Sequence, residues 1–223
     1  NILTGNNVRA SLPNYYGFYI NTRNSKQSTI TNNQLYNQTY GINYNTELGV
    51  VWAFNFPASP SIYATFIGNT TITGNTIADK PVGNLSTTAV CKQAISCSQL
   101  GIVPTGFTNY YTNPKLIVSN NILSNVNNGI AISKFNAIST HAIEMISNTI
   151  TLKLGLSLST QVGIGDYESQ NLYCKSNTVT GPVLFATSAS TTPPNNYNLM
   201  ASTSTVVANT LKPTISNYKF CQT

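Results

Sequence analysis

The chain has 223 residues, a net charge of +6 and only 7% Asp, Glu, Lys and Arg, against about 25% in an average soluble protein. Its 13 Tyr and 8 Phe exclude intrinsic disorder, which pairs high charge with few aromatics. The eleven basic residues form no run, so nucleic acid is not an expected partner, and no apolar stretch approaches the roughly 20 residues that span a bilayer.

A six-residue phrase, apolar-x-x-Asn-x-apolar, organises the chain. It occurs at Leu3/Asn6/Val8, Ile30/Asn33/Leu35, Ile72/Asn75/Ile77, Ile117/Asn120/Ile122, Met145/Asn148/Ile150, Cys174/Asn177/Val179 and Val206/Asn209/Leu211. Successive asparagines are 27, 42, 45, 28, 29 and 32 residues apart, so four intervals are near equal and two carry insertions. Between them runs a second phrase, a glycine followed by alternating apolar residues: "GFYI" at 17–20, "GINY" at 41–44, "GIAI" at 129–132 and "GIGD" at 163–166. Glycine permits a sharp corner, and the period of two predicts short strands. In "IEMISNTITLKLGLSLS", Ile150, Leu152, Leu154, Leu156 and Leu158 fall on one face, with Thr151, Lys153, Gly155 and Ser157 on the other.

These phrases resemble the right-handed parallel β-helix repeat family, the pectate-lyase-like superfamily, from Leu3 to Leu211. The expected fold is all-β: a single domain over 1–223, a right-handed parallel β-helix of about seven rungs with an Asn ladder. Two loop insertions fall near 45–66 and 79–115, and a C-terminal tail covers 212–223. An asparagine amide carries both donor and acceptor, so stacked amides at Asn6, Asn33, Asn75, Asn120, Asn148, Asn177 and Asn209 would satisfy the backbone of each bend. Family members include polysaccharide lyases, epimerases, glycosidases, phage tailspikes and non-catalytic surface proteins, so the resemblance implies a fold and leaves function open.

The first coils crowd Tyr15, Tyr16, Tyr19, Tyr36, Tyr40 and Tyr44, and the first insertion alternates Trp52, Phe54 and Phe56. Either set serves as a contact surface for a sugar or another subunit, or as packing on the coil wall. The second insertion reads either as a short helix over Thr88–Leu100 or as an irregular loop closed by a Cys91–Cys97 bond, the preferred reading. Cys174 sits on an inward ladder position, and a bond to Cys221 would fold the tail over the end of the coil. No Cys-x-x-Cys pair accompanies these thiols, so no metal or other cofactor is expected. Glycosylation tripeptides begin at Asn37, Asn69 and Asn84.

The acids are Glu47, Asp79, Glu144, Asp166 and Glu168, and only Asp166 and Glu168 form a close pair. They are the weak catalytic candidates, expected at a corner where the strand bends near Gly165. The sole histidine, His141, has the parity of Met145 and would not meet Glu144. Glycoside hydrolysis ordinarily needs two carboxylates flanking the bond, and no stacked set of that kind recurs at matching repeat positions.

Low charge, an even cysteine count and the sequons favour an exported protein located extracellularly or at the cell surface. The expectation is a non-catalytic structural protein whose partners are copies of itself or surface glycans, assembling end to end through an open first strand edge. The alternatives are a polysaccharide-binding or polysaccharide-cleaving protein, hence a carbohydrate-active enzyme, and a glycan-binding adhesin.

Overall fold

The computed structural model describes residues 2–9, 16–23, 27–47, 69–79, 91–100, 115–133, 143–153, 162–167, 172–181, 185–188, 205–207 and 210–213. Their twenty strands fall into successive triplets. The first coil holds β1 (Ile2–Thr4), β2 (Asn7–Arg9) and β3 (Tyr16–Arg23), and the second holds β4 (Gln27–Thr31), β5 (Gln34–Tyr36) and β6 (Tyr40–Glu47). Next come β7 (Asn69–Thr73), β8 (Thr76–Ala78) and β9 (Gln93–Leu100), then β10 (Leu116–Ser119), β11 (Ile122–Val126) and β12 (Ile130–Ser133). The fifth coil holds β13 (Ile143–Ile146), β14 (Thr149–Leu152) and β15 (Ile164–Tyr167), and the sixth β16 (Leu172–Lys175), β17 (Thr178–Gly181) and β18 (Phe185–Ser188). A final pair, β19 (Thr205–Val207) and β20 (Thr210–Pro213), completes the described strands.

Corresponding strands of successive coils pair in parallel. They form one sheet ordered β1-β4-β7-β10-β13-β16-β19, a second ordered β2-β5-β8-β11-β14-β17-β20, and a third running from β3 through β6, β9, β12 and β15 to β18. Three parallel sheets wound this way, with buried asparagines stacked between them, make a parallel β-helix-like fold.

The period of two explains the packing. Inward positions align in columns: Leu3, Ile30, Ile72, Val118, Met145 and Cys174 in the first sheet, in register with Val206 of the last strand. Val8, Leu35, Ile77, Leu123, Ile150 and Val179 line the second, in register with Leu211. Phe18, Ile42, Ile95, Ile130 and Ile164 line the third, in register with Phe185. The interior members from Ile30 to Val179 are buried in one continuous core. Each such aliphatic side chain contributes about 1.5–3 kcal/mol of transfer free energy. Thr149 and Thr151, on the opposite parity from Ile150 and Leu152, are exposed.

The corner between the first and second sheets has one design. The residue before each ladder asparagine takes a left-handed conformation: Gly5, Asn32, Gly74, Asn120, Ser147 and Ser176, with φ between 54 and 67°. This corrects the register of the fourth coil. In "IVSNNI" the ladder residue is Asn121, buried between Val118 and Leu123, while the expected Asn120 is the exposed bend residue. Two adjacent asparagines made the phrase readable one residue early; the inward column decides, because a slip of one would turn Ile117 and Ile122 into the core.

Between the second and third sheets, glycine is required at Gly41, where an added Cβ would come within 2.9 Å of Ile77 in the coil below. The stretch "QAISCSQL" within the second insertion is neither helix nor closed loop. It is β9, a full member of the third sheet paired with β6 and β12. Residues 48–66 of the first insertion and the tail beyond Pro213 lie outside the described residues.

Candidate functional site

Each ladder amide from Asn33 to Asn148 joins three coils. The Asn148 Oδ1 accepts both the backbone N–H of Asn121 (3.1 Å) and its Nδ2 (2.9 Å). The Asn148 Nδ2 in turn donates forward to Asn177 Oδ1 (2.9 Å) and backward to the Val118 carbonyl (2.9 Å). The same pattern links Asn33 to Asn75, and Asn75 to Asn121, at 2.9–3.0 Å. Asn33, Asn75, Asn121, Asn148 and Asn177 are all fully buried, so every bond forms away from competing water. Asn209 lies outside the described residues.

The two acids whose side chains are described, Asp79 and Glu144, do not converge. Asp79, just after β8, is buried and accepts a hydrogen bond from Lys153 Nζ at 3.0 Å, bridging two coils along the corner between the second and third sheets. Glu144 on β13 pairs with Lys115 Nζ at 2.8 Å, between adjacent strands on the outside of the first sheet. Neither pair was read from the sequence; the signal was there for Lys115 and Glu144, which lie one strand apart once the register is corrected. Asp166 does not sit at a bend: β15 continues through it to Tyr167, aligned with Ile132 of β12 and Thr187 of β18. Glu168 and His141 lie outside the described residues. Among the described residues no group of three His, Cys, Asp or Glu could hold a metal ion.

The cysteines are core residues. Cys91 and Cys97 are buried free thiols, so the expected Cys91–Cys97 bond is absent. The cause is the strand: Gln93 to Cys97 alone spans about 13 Å at strand rise, well beyond the roughly 7 Å limit between bonded cysteines. Burial, reinforced by the Asp79 charge, pushes the Cys91 thiol up to about 12. Burial likewise raises Cys174 to about 12, offset in part by the Asn177 Nδ2 donating to its sulfur at 3.2 Å, and raises Cys97 further. Thiols held protonated in this way are poor nucleophiles. Cys221 lies outside the described residues.

The tyrosines divide. Tyr44 and Tyr36 belong to the interior rather than to a contact strip, with Tyr44 only 2% exposed. Its hydroxyl accepts from Thr70 Oγ1 at 2.8 Å and lies 3.5 Å from Ser28 Oγ, which lets the coil wall absorb a polar ring tip. Tyr16 and Tyr19 are 44% and 56% exposed. Tyr16 stacks on Tyr40 with centroids 4.8 Å apart and planes 18° apart, and Tyr19 meets Tyr16 edge-on at 5.2 Å. Tyr15, Trp52, Phe54 and Phe56 lie outside the described residues.

Of the sequons, Asn37, Gln38 and Thr39 are all buried, so a glycan on Asn37 would require that corner to open. Asn69 is exposed, its Oδ1 accepting the Lys115 backbone N–H at 3.1 Å, and Asn84 lies outside the described residues. Comparison with protein-family models, with curated proteins and with solved structures finds no match for this chain.

Proposed function

We propose that the chain is a single right-handed parallel β-helix of about seven coils, of the pectate-lyase-like type, acting as an exported, non-catalytic structural protein of an extracellular or cell-surface layer. Handedness follows from the rule that parallel crossovers turn right in about 98% of cases. One observation carries the functional reading: the two acids whose side chains are described, and the buried ladder amides, are all engaged within the coil wall. Asp79 and Glu144 are each tied to a lysine on different parts of the wall, and the buried amides bond to one another. A glycosidase or lyase needs carboxylates that converge on an open face. Support for export comes from the low charge and the exposed Asn69 sequon, without the Cys91–Cys97 bond. The direct test is incubation of the purified protein with a panel of neutral and acidic polysaccharides, followed by reducing-end and unsaturated-product assays. No product, with a folded protein, is expected; turnover abolished by Asp166→Ala or Glu168→Ala would replace this reading with the enzymatic one.

A second reading, a glycan-binding adhesin, has its own support in the exposed Tyr16 and Tyr19 packed on the partly buried Tyr40, since aromatic faces provide large contact area at low entropy cost. Saturable binding of a neutral glycan, lost in Tyr16→Ala and Tyr19→Ala, would select it.

A further inference from the structure

Two of the three glycosylation tripeptides fall on described residues, and the coil treats them in opposite ways. Asn69-Thr70-Thr71 opens β7, where the period of two buries Thr70 and turns Asn69 and Thr71 to the outside of the first sheet, on one face. The strand is pinned from within. Thr70 donates its hydroxyl to the Tyr44 hydroxyl and its backbone N–H to the Lys115 carbonyl, each at 2.8 Å. Asn69 is held through Oδ1, which accepts the Lys115 backbone N–H at 3.1 Å. An N-linked sugar is carried on Nδ2, so that contact persists in the modified residue. The surroundings are open: Gln27, the register partner of Asn69 on β4, is exposed, and the Lys115 side chain is 45% exposed.

Asn37-Gln38-Thr39 is the reverse case. Asn37 holds a left-handed conformation with φ of 58°, and its N–H donates to the Ala78 carbonyl at 3.1 Å. The Gln38 Nε2 turns back to the Tyr36 carbonyl at 3.2 Å, and the Thr39 carbonyl accepts the N–H groups of Lys92 at 2.8 Å and Gln93 at 3.3 Å. All three residues are at most 7% exposed. A glycan is bulky and belongs at a surface, so one on Asn37 keeps this corner from closing onto the third coil.

We propose that Asn69 is a site of N-linked glycosylation, that Asn37 stays unmodified in the folded protein, and that winding of the coil makes this choice. The inference rests on the export reading, because the transferase that recognises Asn-x-Ser/Thr meets a chain only on the secretory route. It acts on extended chain, in which both tripeptides are accessible, and the two diverge as the coil forms. A chain modified at Asn69 folds with the sugar outside the first sheet, beside Gln27 and Lys115. A chain modified at Asn37 loses the buried corner at 37–39, with its bonds to Ala78, Lys92 and Gln93, and stays with the unfolded fraction.

The test is expression of the full chain behind a cleavable secretion signal in eukaryotic cells, with secreted and retained protein collected separately. Enzymatic release of N-glycans in heavy-oxygen water converts each modified asparagine into a labelled aspartate, and peptide masses locate every site, Asn84 included. Expected in the secreted, folded chain are label at Asn69 and none at Asn37. Asn69→Gln should abolish that label with the far-UV circular dichroism unchanged. Thr71→Ala, which leaves the Asn69 amide and its Lys115 contact in place, should do the same. Secreted, folded protein with Asn69 unmodified, or with a sugar on Asn37, overturns the proposal while the export reading stands. Label at Asn69 that survives Thr71→Ala overturns it as well. A native chain confined to the cytosol of its own cells overturns the export reading instead, and with it the use of the site.

Discussion

The two described corners of the coil solve the same problem, turning a strand without orphaning its backbone, in different ways. Between the first and second sheets the answer repeats in the second to fifth coils: one left-handed residue, then one buried asparagine whose amide bonds to coils on both sides. Between the second and third sheets the described residues share no such repeated device. The third and fourth coils use Asp79 with its Lys153 partner, the Asn125 amide donating to the Asp79 carbonyl at 3.0 Å, and the Cys91 carbonyl accepting from the Asn127 N–H at 2.7 Å. A repeated solution can be shared down the stack as a ladder, so its members stabilise one another; an improvised one remains local and tolerates connections of different length.

The largest effect should come from breaking the repeated corner. Asn121→Ala leaves the Asn75 N–H and Nδ2 and the Ile72 carbonyl without their partner in a dry interior, an expected loss on the order of 3 kcal/mol. Asn120→Ala, one residue earlier, removes only an exposed side chain suited to the left-handed region and should cost about 1 kcal/mol. Equal losses in chemical denaturation would mean that the ladder does not run through Asn121.

The improvised corner should yield less. Lys153→Met strips Asp79 of its cation, but Lys153 retains 21% side-chain exposure, so about 2 kcal/mol is expected rather than the roughly 3–5 of a fully buried pair. Adding Asp79→Asn to Lys153→Met should restore most of that loss. No recovery in the double variant would show that the two side chains contribute separately.

Smaller again is a pH effect shared by both regions. The Cys91 and Cys174 thiols titrate near 12 when folded, against a reference of 9.0. Above 9 the unfolded chain loses these protons while the folded chain keeps them. Stability should therefore be unaffected by these groups below 9 and fall as pH rises from 9 toward 12. Urea midpoints at pH 7 and 10 check the sign, and a midpoint that rises with pH would contradict it.

The smallest change sharpens the repeated corner. Ser147 holds φ of 55°, a region that asparagine occupies at the equivalent Asn32 and Asn120. Ser147→Asn should raise stability by about 0.5–1 kcal/mol, measurable as a higher melting temperature. A loss would mean that the Ser147 side chain has a role the backbone geometry does not reveal.

How much of this was legible beforehand differs by residue. The inward columns and most of the ladder could be read because a period of two and a recurrent Asn-x-apolar phrase are properties of local sequence. Asn121 was missed because two asparagines stood side by side, and only the neighbouring coils show which one faces inward. The strand at Gln93–Leu100 was missed because Ala94 stands where four other coils carry glycine, at Gly17, Gly41, Gly129 and Gly163, at a corner that varies in length. Which of the six clustered tyrosines turn inward is not legible from their spacing; Ser28 and Thr70 beside the Tyr44 hydroxyl make room for that ring in the interior.

The sequence by itself determined that the chain winds as parallel coils of short strands with asparagine at one corner, since apolar alternation and bend chemistry act over a few residues. Only the tertiary structure decided which asparagine joins the ladder, that Asp79 meets Lys153 across two coils, and that the amides all point the same way. Those outcomes depend on register between strands that lie 27 to 46 residues apart along the chain. Register is set by the whole stack at once, because a slip of one residue would turn an entire column inside out.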